Sequence, residues 1–187
     1  MKKFFLTVAT IAMSISATAQ WNVDRSHSGI KFTVSHMMIS EVDGLFKDFS
    51  GTFTSDKDDF SDLKTSFTIQ TKSISTDNEK RDAHLNSPDF FDAEKYPTIT
   101  FTSTSITKNG DKKYTLVGKL NLHGITKSVT WELKGGNVIK DPYGNNRAGF
   151  KATTTLKRSD FGLSPDTPSA VLGDEVEVTV NFEITKK

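Results

Sequence analysis

Apolar and polar residues alternate with a period of two in stretch after stretch from Trp21 to the C-terminus, the pattern of strands that bury one face. Ile30, Phe32 and Val34 alternate with Lys31, Thr33 and Ser35. Phe49, Gly51 and Phe53 follow, then Leu63, Thr65, Phe67 and Ile69, then Ile99 and Phe101 among threonines. Tyr114, Leu116, Gly118, Leu120 and Leu122 make the next stripe, and Val129, Trp131 and Leu133 another. Ala148, Phe150, Ala152, Thr154 and Leu156 continue it, and Val176, Val178, Val180, Phe182 and Ile184 close the chain. Eight strands are expected.

Turn chemistry sets their connections. Lys108-Asn109-Gly110-Asp111 places Asn-Gly, a source of the positive φ a tight hairpin needs, between two stripes. Leu122-His123-Gly124-Ile125 is a similarly short link, and Asp141-Pro142-Tyr143-Gly144-Asn145-Asn146 is a third turn cluster. Short links make chain neighbours antiparallel partners. Eight such strands with one apolar face close into a barrel or stack as a sandwich. Long stripes favour the tilted wall of a barrel, which at this strand number can hold a small ligand, as lipocalins do. One charged segment, residues 76–97, breaks the alternation; Thr76 or Asp77 is expected to cap a short helix there, ended by Ser87-Pro88. A second helical turn is expected over residues 37–41.

Twelve of the fourteen phenylalanines lie beyond residue 19, and they recur on the inward stripes beside Gly51, Gly118, Ala148 and Ala152. Large rings facing small residues fit a jigsaw core. They fit the wall of an apolar cavity equally well, and alternation does not separate the two.

Met1-Lys2-Lys3, the apolar run 4–15 and Ala17-Thr18-Ala19 follow one another as the three parts of an export signal. The run is too short to span a bilayer, and no later stretch is long or apolar enough, so stable membrane insertion is not expected. Cleavage before Gln20 leaves one 168-residue domain, 20–187, in the periplasm. The chain has no cysteine, which removes disulfides, thiol catalysis and Cys-based metal sites. After loss of Lys2 and Lys3 the balance is 22 basic to 23 acidic residues, so no field of one sign draws nucleic acid.

Recognised chemistry is scarce. The histidines, His27, His36, His84 and His123, form no HExxH or helical i, i+4 pair, and GxSxG, GxGxxG and Walker sequences are missing, so no cofactor is expected. Arg81-Asp82 with His84 is the densest polar group: a solvated helix face, or the rim of a pocket. Lys157 to Gly162 reads as a strand end with Arg158 paired to Asp160.

Five blocks in order carry a resemblance. They are Trp21-Asn22-Val23-Asp24 with His27-Ser28 through Gly51-Thr52-Phe53; Arg81-Asp82-Ala83-His84-Leu85 through Phe90-Phe91 to Tyr96-Pro97-Thr98-Ile99-Thr100-Phe101; Gly118 to Lys127; Lys157 to Gly162; and Gly173-Asp174-Glu175-Val176. The chain resembles the YceI-like family of bacterial periplasmic proteins. The resemblance implies an elongated, lipocalin-like antiparallel barrel that holds a long isoprenoid or similar amphiphile, with no established catalytic activity. Joined to the stripes, it gives the expectation that Phe32, Val34, Phe67, Ile69, Phe101, Leu120, Trp131 and Phe150 line the cavity, with His36, Arg81 and His84 at its polar end. The expected function is that of a periplasmic lipid carrier and not an enzyme. The alternatives are a hydrolase or isomerase using His84 or His36 as base, and a filled, ligand-free protective barrel. A homodimer through an exposed edge stays open, although no stripe is apolar on both faces.

Overall fold

In the computed structural model, which describes residues 20–186, the stripes become the wall of one closed antiparallel barrel. The expected signal, 1–19, lies outside those residues. The strands are β1 (Gln20–Val23), β2 (Gly29–His36), β3 (Ser40–Phe46), β4 (Phe49–Thr54), β5 (Lys64–Gln70), β6 (Ile74–Ser75), β7 (Thr98–Gly110), β8 (Lys113–Leu122), β9 (Ile125–Lys140), β10 (Asn146–Lys157) and β11 (Leu172–Lys186).

Eight long strands make the ring, because β1 with β2, β3 with β4, and β5 with β6 are pairs of pieces in which a strand breaks and resumes. β1 pairs β4 while β2 pairs β3, and β4 pairs β5 while β3 pairs β6. The three interruptions lie side by side and are stitched together: Lys47 N donates to Ser73 O at 3.0 Å, Gln70 N to Asp48 O at 2.9 Å, and Arg25 Nη2 to Lys47 O at 3.2 Å. The ring closes where β11 meets both β1, through Val23 opposite Ile184, and β2, through Val34 opposite Val176. Closure leaves no unpaired edge along the seam.

One helix, α1 (Glu79–Asn86), fills the charged break, and its cap is Asn78, whose side chain accepts from Arg81 N at 3.0 Å. The expected caps Thr76 and Asp77 lie just upstream, Asp77 in a left-handed conformation (φ 56°). Residues 37–41 form no helical turn: Met37 and Met38 (φ 53° and 58°) reverse the chain between β2 and β3. Two consecutive positive φ angles match the right-handed twist of a hairpin, so the turn wins over local helix preference. The β7–β8 reversal is also displaced. Asn109 and Gly110 end the strand after a register shift, and Lys112 (φ 54°) supplies the turn. His123 and Gly124 (φ 52° and 75°) make the expected two-residue link between β8 and β9.

Candidate functional site

Inward side chains do not fill the barrel uniformly. At one end the bore is plugged. Phe60, fully buried, enters from the loop 55–63 and packs on Trp21 at 5.3 Å and edge-on to Phe150 at 5.0 Å between ring centroids. The loop that carries it is tied down from several directions. Asp62 accepts from Ser55 Oγ at 2.6 Å and Asp56 N at 3.1 Å, and the buried Tyr114 hydroxyl donates to Asp59 O at 2.6 Å. Lys108 pairs with Asp59 at 2.8 Å and holds its carboxyl well below the usual carboxylate range. Phe53 connects plug to bore, stacking on Phe150 at 6.5 Å and meeting Phe67 and Phe182 at 5.2 and 5.3 Å.

Above the plug the barrel is hollow, with a cavity of about 890 Å³. That lies near the upper end of the ~300–1,000 Å³ range of small-molecule sites. The bore stays open because its rings lie against the wall. Phe32 is opposite Gly44 and Phe67 opposite Gly51 across strand pairs, and Phe101 sits diagonally over Gly118. A Cβ on any of these glycines would collide with the ring above it. The glycine leaves a shallow seat in the wall, and the ring lies down in it instead of projecting across the axis.

Of the residues expected at the site, Phe32, Val34, His36, Phe67, Ile69, Arg81, His84, Phe101, Leu120 and Trp131 all border this cavity. Phe150 does not. It faces inward as its stripe predicts, but at the level of the plug, buried against Phe53 and Phe60.

Arg81 and His84 stand at the rim on α1. Arg81 Nε donates to Thr76 Oγ1 at 2.7 Å and Nη2 to Thr76 O at 2.8 Å, which fixes the guanidinium at the opening. His84 Nε2 lies 3.4 Å from Asp89 Oδ2, and its ring meets Phe90 edge-on at 5.0 Å. His36 ends β2 across the rim, next to the exposed tip Met37, Met38 and Ile39. His123 faces elsewhere, 3.1 Å from Phe161 O and edge-on to Tyr96 at 4.5 Å.

Arg158 corrects the expectation of an Arg158–Asp160 pair. It is buried, and its guanidinium donates to the carbonyls of Gly173 (3.1 Å), Leu163 (3.0 Å), Ser164, Thr167 (2.6 Å) and Leu172 (3.1 Å). Asp160 pairs instead with Lys127 at 2.6 Å. Five fixed donors suit Arg to gathering backbone carbonyls, and here they fold residues 163–172 into part of the rim. The single Arg in a charged block carried no sequence sign of this task.

His27 belongs to a different cluster, on the closing seam. Its Nδ1 lies 3.0 Å from Asp24 Oδ2, and Arg147 Nη1 binds Asp24 Oδ2 at 2.7 Å and also Glu183. The nearby Arg147 guanidinium and then His27 draw the Asp24 pKa down to about 2, and the Asp24 carboxylate raises that of His27. Asp24, His27 and Glu183 have metal-type donor atoms within 4.8 Å of one another, but Arg147 already supplies their positive charge.

Comparison with known proteins follows the same lines. A family model described as YceI-like domain matches residues 21–184. Protein YceI of Salmonella newport is 39% identical over 189 residues, covering 98% of this chain and 97% of that one. A crystal structure of the Campylobacter jejuni YCEI protein superposes with a TM-score of 0.75 at 29% identity, covering 100% of this chain and 99% of that one. A structure titled as a polyisoprenoid binding domain from Saccharophagus degradans has a TM-score of 0.71 at 16% identity, covering 91% and 99%. With the family model matching nearly all of the described residues, the chain belongs to the YceI-like family.

Proposed function

We propose that the protein is a periplasmic carrier that holds an isoprenoid-like or similar long-chain lipid in the hollow half of its barrel. The observation that carries this reading is the apolar bore itself, about 890 Å³, open beside Arg81 and His84 and stopped by the Phe60 plug. A blind tube of that kind suits a slender chain inserted lengthwise. Burying ~400 Å² of ligand surface at ~25 cal/mol per Å² gives about 10 kcal/mol before the losses of association. Affinity then follows chain length, while His36, Arg81 and His84 orient the polar end. The polyisoprenoid-binding relative from Saccharophagus degradans supports the ligand class, and the signal pattern of residues 1–19 supports the location. The family and its named relatives speak for a binding protein, not an enzyme.

Organic extraction of protein purified from its native export route, followed by mass spectrometry, tests this. The expected result is a long-chain lipid in near-stoichiometric amount. An empty extract together with no uptake of added polyprenyl compounds would overturn it.

A further inference from the structure

The rim of the bore has two unlike parts. One is α1, where Glu79 and Asp82 stand among Lys80 and Arg81. The other is the β2–β3 tip with the loop before β11, and it carries apolar side chains into solvent: Met37 is 54% exposed, Met38 76%, Ile39 85% and Val171 45%. The two segments are joined, since Met37 N donates to Val171 O at 2.9 Å and Leu172 pairs with His36. From residue 32 to residue 40, and again from 167 to 173, the sequence has no Asp, Glu, Lys or Arg. His36, Val171 and Leu172 also line the cavity, so this apolar lip continues the wall of the bore outward.

Single exposed apolar residues are ordinary, whereas a contiguous group at the mouth of an apolar cavity calls for a partner. The turn itself does not ask for methionine. Met37 and Met38 both have positive φ, where Asn or Gly would sit at less cost. The tip is also prepared to leave water: Met37 N and Ile39 N are bonded within the protein, to Val171 O and to His36 O at 3.2 Å, so entry into an apolar layer strands neither donor. The exposed apolar residues at the plugged end, Val138, Ile139 and Tyr143, differ in having Lys140 and Asp141 among them.

We infer that the lip is a membrane-docking surface: Met37, Met38, Ile39 and Val171 enter the interface of a zwitterionic bilayer and hold the mouth of the bore against it. This inference rests on the carrier reading and adds the place where lipid is exchanged. With the lip in the bilayer, a long chain passes from the acyl layer to the cavity wall along Val171 without crossing water. A few side chains with no covalent anchor make the attachment shallow and reversible. The two acids and two bases of α1 offset one another, so the attraction is hydrophobic and survives high salt.

Delipidated full-length mature protein is mixed with phosphatidylcholine vesicles, the bound fraction is read by co-flotation, and loading is followed as transfer of a polyprenol from the vesicles. Wild-type protein is expected to float with the vesicles at low and at high salt. Met38→Asn combined with Ile39→Ser is expected to lower both vesicle affinity and the initial transfer rate about tenfold, while the fold persists because Asn suits a positive φ. Ile139→Ser combined with Tyr143→Ser, at the other end, should change neither. A short-chain isoprenol dissolved without vesicles reads the bore alone, and wild type and both variants should bind it equally. Wild-type protein that does not float would overturn the docking surface and leave the tip to a protein partner. Flotation lost at high salt, or unchanged in the lip variant, or reduced as much by the pair at the plugged end, would overturn it too. Failure of wild-type protein to bind the dissolved isoprenol would instead sink the carrier reading itself.

Discussion

The two halves of the barrel are built from the same strands and the same kind of residue, yet one is solid and the other hollow. In the closed half, Phe60, Phe150 and Trp21 meet across the axis, and a loop contributes the ring that no strand provides. In the open half, Phe32, Phe67 and Phe101 lie flat over Gly44, Gly51 and Gly118. A cross-strand glycine alone does not decide whether an inward phenylalanine fills space or frees it: Phe150 also stands opposite a glycine, Gly135. In the open half the seated rings leave the axis clear, whereas in the closed half the loop residue Phe60 comes in and packs on Phe150 and Trp21.

Truncation separates the halves most sharply. Phe60→Ala removes a fully buried ring that touches Trp21 and Phe150, and is expected to cost about 3–5 kcal/mol in denaturant unfolding. Phe101→Ala should cost about half as much, because one face of its ring already borders the cavity. Equal losses would mean that the open half is packed like the closed one.

Ligand linkage comes next. A lipid held only by the folded barrel should raise stability by about 2.7 kcal/mol at a hundred times its Kd, read as a shift in unfolding midpoint. Phe60→Ala should lower the starting stability while leaving most of that increment in place.

Gly44→Ala probes the seat. The three atoms nearest the added methyl all belong to the Phe32 side chain, so the ring can tilt into the bore while the backbone holds. Affinity for an isoprenoid probe should fall about tenfold, or 1.4 kcal/mol, measured by titration. Tighter or unchanged binding would show that the flat ring is not what keeps the bore clear.

The smallest effect concerns the closing seam. Asp24 titrates below its ordinary 3.8, at about 2, so its contribution is complete above 3.8 and is lost as pH falls toward 2. The pKa of His27 is raised above 6.5, so its contribution is complete below 6.5 and is lost as pH rises through the higher value. Unfolding midpoints should therefore be flat between these limits and decline on both sides. Asp24→Asn should flatten both declines, since it removes the acid-side group and the partner that raises His27. These groups are partly exposed, and salt should weaken the effect.

The fold was legible because alternation with period two states both strand and buried face, and short links between stripes leave a meander as the simplest topology. Depth was not legible. Parity shows that Phe150 and Phe101 point inward, but their distance from the floor depends on strand tilt and on where a loop inserts. Phe60, alone among aspartates and serine in Asp58-Asp59-Phe60-Ser61-Asp62, was the sign of that insertion, since an isolated aromatic in an acidic loop needs somewhere to be buried. The Met37-Met38 turn escaped because its positive φ values are imposed by the hairpin on residues that do not favour them. Arg81 and His84 at the rim were reachable through a break in the pattern and a family resemblance together. Arg158 was misread because its partners are backbone carbonyls, which no sequence displays.

A crystal structure of the protein with a bound polyprenyl lipid tests the central claim most directly. The account predicts a continuous chain running from the Arg81 rim to Trp131, with Phe32, Phe67 and Phe101 still lying on their glycines and the Phe60–Phe150 contact unchanged. A bore filled by those three rings turned toward the axis, with the lipid lying outside it, would contradict the account.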